Sequence, residues 1–139
     1  MPETFNVGDV VADREYWITR ENLVRYAGAS GDFNPIHWND RVAESVGLPG
    51  VLAHGMLTMA LAGRLLTDWL GDPEAVVEYG VRFSRPIVVP DDDAGVAVHV
   101  SATVTGVHDD GAVAVEIEVR VDDVKVLTQA RALVRPPDA

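Results

Sequence analysis

The chain has 139 residues and a mass of 15.0 kDa, enough for one domain with its own core and no need for a disulfide or metal to staple it. It contains no cysteine, which excludes thiol nucleophiles, cysteine-based zinc sites and disulfide frameworks. Its 22 acidic residues against 11 basic ones give a formal charge of −11, a field that repels phosphate backbones and anionic lipid, so we expect neither a nucleic-acid nor a membrane partner.

The first residues show neither the basic start nor the apolar core of a signal peptide. The most apolar stretch, residues 55–70, is shorter than the roughly 20 residues that a membrane span needs. We therefore expect a cytoplasmic chain that forms a single domain over residues 1–139, with a loose tail at 135–139.

Helix and loop signals occupy the first half of the chain. A short strand is predicted at 15–18, and Thr19 is a good N-cap for a helix that runs to about residue 29. Glycine and proline predict a loop over 31–38, and a short helix follows at 40–46.

The main helix is predicted at 55–70, where apolar residues leave almost no polar face. A helix that is apolar all round is normally buried on all sides. Apolar residues also make up 47% of the chain before its 12 glycines are counted, which is more than a small monomer normally hides. The composition and the pattern leave open what covers this apolar surface.

The second half changes to an alternation of period two, which predicts half-buried strands at 96–101 and 113–121. Turns at 108–111 and 122–123 separate the strands, and further strands are predicted at 77–83 and 124–134. The fold class is therefore α+β: one long apolar helix followed by a meander of four to five antiparallel strands, which encloses the helix if the sheet curves.

The loop SGDFNPIH at 30–37 carries a carboxylate, Asp32, and an imidazole, His37, across a turn that Pro35 makes rigid. Asp accepts hydrogen bonds and His exchanges protons near neutral pH, so the pair could polarise one water from two sides. Two other interpretations remain open at this point: ordinary turn chemistry, and a metal site formed by Asp32, Asn34 and His37.

The second candidate feature is the start of the main helix, AHGM at 53–56. The first N–H groups of a helix lack internal partners, and a glycine allows an oxygen to approach them closely. The N–H of Gly55 is thus a candidate oxyanion donor, although the glycine could simply begin the helix. His54, beside it, is a candidate substrate contact.

The stretches YAGASGDFNPIH at 26–37 and AHGM at 53–56 resemble the hydratase 2 signature of the MaoC-like, (R)-specific enoyl-thioester hydratases and dehydratases. Within this family the chain is most similar to the catalytic β subunits of mycobacterial (3R)-hydroxyacyl-carrier-protein dehydratases. The resemblance implies a hot-dog fold, in which a curved antiparallel sheet wraps one long helix. It also implies that Asp32 and His37 are catalytic, that Gly55 binds the thioester oxygen and that Asn34 orients the loop.

The function implied is reversible addition of water to trans-2-enoyl thioesters, carried by coenzyme A or an acyl carrier protein, with no cofactor and no metal. Hot-dog proteins pair edge to edge, so the resemblance also implies a homodimer or a heterodimer with a second hot-dog chain. One alternative is a non-catalytic subunit that binds acyl thioesters, although such a subunit would not need the Asp32–His37 pair. Another is a thioesterase, although the main helix places no carboxylate near Gly55.

Overall fold

Alternating valines place one face of each long strand in the core, and the elements follow that alternation. The computed structural model describes residues 4–137. The strands are β1 (Val10–Ile18), β2 (Val76–Phe83), β3 (Val96–Val107), β4 (Val113–Val121) and β5 (Val124–Val134). The helices are α1 (Arg20–Ser30), α2 (Asp40–Ser45) and α3 (Gly55–Leu70), with 3-10 turns at Pro35–His37 and Pro73–Ala75.

The five strands form one antiparallel sheet in the order β1-β3-β4-β5-β2. The predicted meander is correct for β3, β4 and β5, which are joined by tight turns. It is wrong for β2, which pairs with β5 instead of its successor β3. The long connection 84–95 makes this possible, because it carries the chain away from β2 before β3 begins.

Bulges interrupt the register in every pair of strands. An extra residue on one strand bends the sheet and increases its twist. In β5 the bulge coincides with Gln129, which has a φ of 47°. The sheet therefore curves, and its valine-rich face packs on α3 in a single core that includes Leu65 and Leu66 of the helix and Val98 and Val115 of the sheet.

Most predicted boundaries agree with the structure. Helix α3 covers the predicted residues 55–70, and α1 begins after Thr19, whose side chain accepts from the backbone N–H of Asn22 as an N-cap. Strand β1 begins at Val10 and not at residue 15, because its exposed first half pairs with β3. The prediction missed it because no apolar alternation marks that half.

Helix α3 is buried along one face only within this chain. Thr58, Ala62, Leu65 and Leu66 lie in the core, whereas Met56 is 56% exposed. The prediction of burial on all sides is thus not met by the chain alone. No helix within residues 4–137 is long and apolar enough to cross a membrane.

The predicted loose tail begins later than expected. The backbone N–H of Arg135 donates to Ala75 O at 2.7 Å, and its guanidinium pairs with Asp110 at 2.6 Å. Residues 136–137 have no regular secondary structure, and the last two residues of the predicted tail lie outside the described residues.

Candidate active site

The loop after α1 is shaped by hydrogen bonds between close neighbours. The helix ends at Gly31, which has a φ of 77° and therefore needs the conformational freedom of glycine. The carboxylate Oδ1 of Asp32 then accepts from Asn34 N at 3.1 Å, and the side-chain oxygen of Asn34 accepts from Ile36 N at 3.3 Å. Pro35 begins the 3-10 turn that follows. Asn34 thus caps this turn with its side chain.

Asp32 and His37 face each other across this loop. Oδ2 of Asp32 lies 4.0 Å from Nε2 of His37, which is too long for a direct hydrogen bond but allows one water or hydroxyl to contact both atoms. The Asp32 side chain is 50% exposed and that of His37 only 11%. The structure therefore brings together the two residues that were predicted to form a dyad.

A backbone carbonyl sets the tautomer of His37. Nδ1 of the ring lies 2.7 Å from Leu52 O, and because a carbonyl oxygen only accepts, Nδ1 must carry the hydrogen. In the neutral ring Nε2 is then left with its lone pair, directed at Asp32. His37 is thereby prepared to take a proton at Nε2, and the fixing contact comes from a residue that sequence analysis did not identify.

His54 does not occupy the position expected of a substrate contact, because its side chain is only 1% exposed. Its ring stacks on that of His37, with centroids 3.9 Å apart and planes 23° apart, and meets the ring of Tyr26 edge-on at 4.7 Å. Its Nε2–H donates to Asp32 O at 3.2 Å. Burial is the main cause that lowers the pKa of His54 below its ordinary value of 6.5.

Gly55 is the first residue of α3, so its N–H has no intrahelical partner and lies at the positive end of the helix dipole. A Cβ at this position would lie 3.1 Å from Cε1 of Phe83, closer than ordinary contact allows. Gly55 and Phe83 both line a cavity of about 320 Å³, together with Thr58, Arg85 and other residues. A side chain at position 55 would therefore press on Phe83 and take up part of this cavity.

A metal is a poor fit for this cluster, although ligand atoms of Asp32, His37 and His54 lie within 4.8 Å of one another. A bound ion lies close to the plane of an imidazole ligand, and two stacked rings cannot both direct a lone pair at one ion. Hydrogen bonds also occupy Nδ1 of His37, Nε2 of His54 and the side-chain oxygen of Asn34.

One ion pair ties the site loop to the rest of the fold. Arg20 at the start of α1 makes two hydrogen bonds to the carboxylate of Asp40, at 2.9 and 3.1 Å, and a third to Val89 O at 2.7 Å. Asp40 also accepts from Val51 N. The hydrogen bond from Arg20 is the main cause that lowers the pKa of Asp40. The start of α1 and the start of α2 are thereby held together.

Residues 5–124 match the family described as MaoC like domain. A curated relative, 3-hydroxyacyl-thioester dehydratase X of Mycobacterium tuberculosis, is 44% identical over 73 residues, which are 52% of this chain and 25% of that protein. The (R)-specific enoyl-CoA hydratase of Rhodospirillum rubrum is 31% identical over 90 residues, 64% of this chain and 59% of that protein. The chain thus spans about a quarter of the first relative and somewhat more than half of the second.

Solved structures agree with the fold. A MaoC-like dehydratase superposes with a TM-score of 0.89 at 36% identity, over 94% of this chain and 40% of that chain. Two further structures also superpose on this chain, but their sequence identities are below 25%, so they support the fold and nothing beyond it. They are the ChsH1-ChsH2 complex from Mycobacterium tuberculosis (TM-score 0.81, 24% identity, 96% and 99% of the two chains) and the (R)-hydratase from A. caviae (0.84, 22%, 98% and 100%). The sheet wrapped round α3 is the predicted hot-dog fold, and the chain belongs to the MaoC-like domain family.

Proposed function

We propose that the chain is a hydro-lyase that adds water reversibly to trans-2-enoyl thioesters and removes it from (3R)-hydroxyacyl thioesters. The observation that carries this proposal is the free Nε2 of His37 facing Oδ2 of Asp32 at 4.0 Å. Two proton-transfer groups around the space for one water are what such a reaction needs. The names of the two curated relatives support the same chemistry.

In the dehydration direction, His37 Nε2 removes the proton from the α-carbon of the thioester. The thioester oxygen gains negative charge and accepts a hydrogen bond from the N–H of Gly55. The bond from the β-carbon to its hydroxyl then breaks, and Asp32 supplies through Oδ2 the proton that completes the departing water. Asp32 thus gives up one proton and His37 gains one, so the pair as a whole holds one proton before and after the reaction. Hydration runs through the same steps in reverse.

The cavity beside Gly55 is the proposed site for the thioester end of the substrate. Its lining combines apolar residues with the polar residues Thr58, Ser84 and Arg85. Among residues 4–137, Arg85 has no carboxylate within 4 Å, so its charge is available to an anionic carrier. The carrier of the acyl group is either coenzyme A or an acyl carrier protein. The rates with crotonyl-CoA and with the crotonyl thioester of an acyl carrier protein distinguish the two.

The experiment is incubation with crotonyl-CoA, followed by the loss of enoyl absorbance and by chiral analysis of the product. We expect (3R)-hydroxybutyryl-CoA from the wild-type chain. Asp32→Asn and His37→Gln should each lower kcat by about 10²–10⁴, the usual contribution of a positioned acid or base. The chain offers a matched control, because Asp13 and His99 form an exposed pair 2.7 Å apart on β1 and β3. Asp13→Asn and His99→Gln should keep wild-type rates.

Other products would contradict the proposal. Free coenzyme A would identify a thioesterase, and unchanged crotonyl-CoA that nonetheless binds would identify a non-catalytic binding subunit. A wild-type rate in Asp32→Asn or His37→Gln would show that the dyad is not the catalytic pair.

We further propose that the active form contains a second hot-dog chain, either another copy or a different one. The half-exposed Met56 and Phe83 lie at the start of α3 and the end of β2, and both would be covered by such a partner. We would measure the mass in solution of the chain alone and of the chain mixed with the product of a neighbouring gene. These two masses distinguish a homodimer from a heterodimer, and a monomer in both samples would refute the proposal. A cytoplasmic location remains part of this proposal and is tested by cell fractionation.

A further inference from the structure

His54 contacts both members of the proposed dyad from outside the loop that carries them. Its ring stacks on His37 at 3.9 Å, and its Nε2–H donates to Asp32 O at 3.2 Å. It also directly precedes Gly55, the proposed oxyanion donor. A side chain that is 1% exposed cannot bind substrate itself, so any influence it has on the reaction passes through its neighbours.

The hydrogen bonds of His54 assign its protonation state. Asp32 O only accepts, so Nε2 carries the hydrogen, and Nδ1 is the bare nitrogen of the neutral ring. Within residues 4–137, this buried Nδ1 has no hydrogen-bond partner, an arrangement that a protonated Nδ1–H would make far more costly. The groups that face the ring are His37, Tyr26 and Asp32, whose carbonyl accepts from Nε2 and whose carboxylate lies within 4.8 Å of a ring nitrogen. Burial is the main cause that lowers the pKa of His54, and it outweighs the hydrogen bond to Asp32 O, which raises it, in keeping with a neutral ring.

We propose that His54 is a positioning residue: its N–H bond fixes the backbone of Asp32, and its ring fixes the tilt of the His37 imidazole. This inference rests on the proposed hydro-lyase function. The carboxylate of Asp32 is half-exposed, so few contacts hold it directly. Ser30 and Asn34, which bond to Asp32 as well, are its close neighbours in the chain, whereas the hydrogen bond that the Asp32 carbonyl accepts from His54 comes from a different part of the fold. Without that bond, we expect the distance of 4.0 Å between Oδ2 and Nε2 to be less well held, because the bonds that remain at Asp32 all come from its close neighbours in the chain.

The test compares three residues at position 54. His54→Leu removes both the N–H donor and the flat ring, whereas His54→Gln keeps an N–H that can reach Asp32 O. We expect His54→Leu to lower kcat for crotonyl-CoA by about 10- to 100-fold, since a displacement of about 1 Å can cost 10². KM should change by less than about threefold, because the substrate makes no contact with this residue. His54→Gln should recover kcat to within about fivefold of wild type, since the remaining deficit reflects only the missing ring.

Three results would overturn the inference: a folded His54→Leu with wild-type kcat, an effect on KM alone, or a His54→Gln as impaired as His54→Leu. If His54→Leu does not fold, His54→Phe takes its place, because it keeps a flat ring of similar shape but lacks the donor. His54→Phe should lose kcat while His54→Gln retains it, and the opposite order overturns the role of the N–H bond.

Amide hydrogen exchange separates this inference from the proposed function. The N–H of Asn34 donates to Asp32 Oδ1 and that of His37 to Asn34 O, so their exchange reports whether the loop is held. Both should exchange faster in His54→Leu or His54→Phe and keep near wild-type protection in His54→Gln. Unchanged protection refutes positioning even if the wild-type enzyme is active. Faster exchange in a chain that never hydrates crotonyl-CoA refutes the proposed function and leaves the mechanical role of His54 in place.

Discussion

Replacing Gly55 by alanine tests the role of the start of α3 without removing a hydrogen-bond donor. A Cβ there would lie 3.1 Å from Cε1 and 3.2 Å from Cδ1 of Phe83. Ordinary carbon–carbon contacts are about 3.5–4.0 Å, so the ring or the helix start must move by a few tenths of an ångström. The new methyl group would also occupy part of the cavity that Gly55 and Phe83 share.

The expected loss of activity follows from these distances. Alanine keeps its N–H, so the full cost of losing an oxyanion donor, about 10²–10³, is an upper limit. A donor displaced by part of an ångström, with a methyl group beside the bound oxygen, should lower kcat by about 10- to 100-fold. Stability should not fall in parallel, because Phe83 is 52% exposed and can yield, and because alanine is favoured over glycine in helices by up to about 1 kcal/mol.

The assay measures kcat and KM with crotonyl-CoA, together with the melting temperature. Gly28→Ala is the matched control, because Gly28 lies within α1 and a Cβ there meets no atom within 4 Å. That variant should keep wild-type activity and gain slightly in stability. A second comparison uses the variant Phe83→Leu as the background. If the clash with Phe83 causes the defect, Gly55→Ala should lower kcat much less in the Phe83→Leu background than in the wild-type chain. Wild-type kcat in Gly55→Ala, or no recovery in the double variant, would refute the reasoning.

Three further predictions concern stability. In urea unfolding, Leu66→Ala should cost about 2–5 kcal/mol, because Leu66 is fully buried in the core and its truncation leaves a cavity. Asp40→Asn should make the free energy of unfolding depend less on pH in acid. Arg20 lowers the pKa of Asp40 in the folded chain below its ordinary value of 3.8. The ionised carboxylate therefore stabilises the wild-type fold above pH 3.8, and this stabilisation is lost as the pH falls through the lowered pKa. Burial lowers the pKa of His54 in the folded chain below 6.5, so the unfolded chain binds the proton first and wild-type stability falls as pH drops below 6.5. His54→Gln should lack that slope, whereas the control His108→Asn in the β3–β4 turn should keep it, and equal slopes in both would contradict the assignment.

The parts of the site that sequence predicts are those built from close neighbours. The loop holding Asp32 is shaped by side-chain bonds to backbone groups two residues away, so residue types alone define it. His37 is the last residue of the short 3-10 turn that follows this loop. Helix α3 is equally local, since its apolar run begins at Gly55 and ends before Gly71, a glycine with a φ of 70°. Elements of this kind can be recognised from neighbouring residues, even where contacts from elsewhere in the fold refine their position.

The parts that sequence does not predict depend on pairings between distant residues. Phe83 reaches Gly55 only because β2 occupies the edge of the sheet beside β5, whereas a simple meander would have placed β2 next to β3. The tautomer of His37 depends on Leu52 O, which no pattern in the sequence marks. His54, beside Gly55, was a candidate substrate contact, but packing against Tyr26 and His37 buries it.

Part of the apolar excess of the sequence lies beside the candidate site. Trp17 and several valines are exposed elsewhere in the fold, but four large apolar side chains that are about half-exposed or more lie in the site loop and around the start of α3, namely Phe33, Trp38, Met56 and Phe83. Asp32, among them, is half-exposed too. Proton transfer between the substrate and the groups of Asp32 and His37 is best served when bulk water is excluded, because charge stabilisation is stronger in a low dielectric. A second hot-dog chain over these side chains would bury apolar surface and close the site in one step, so the proposed partner would assist the proposed chemistry.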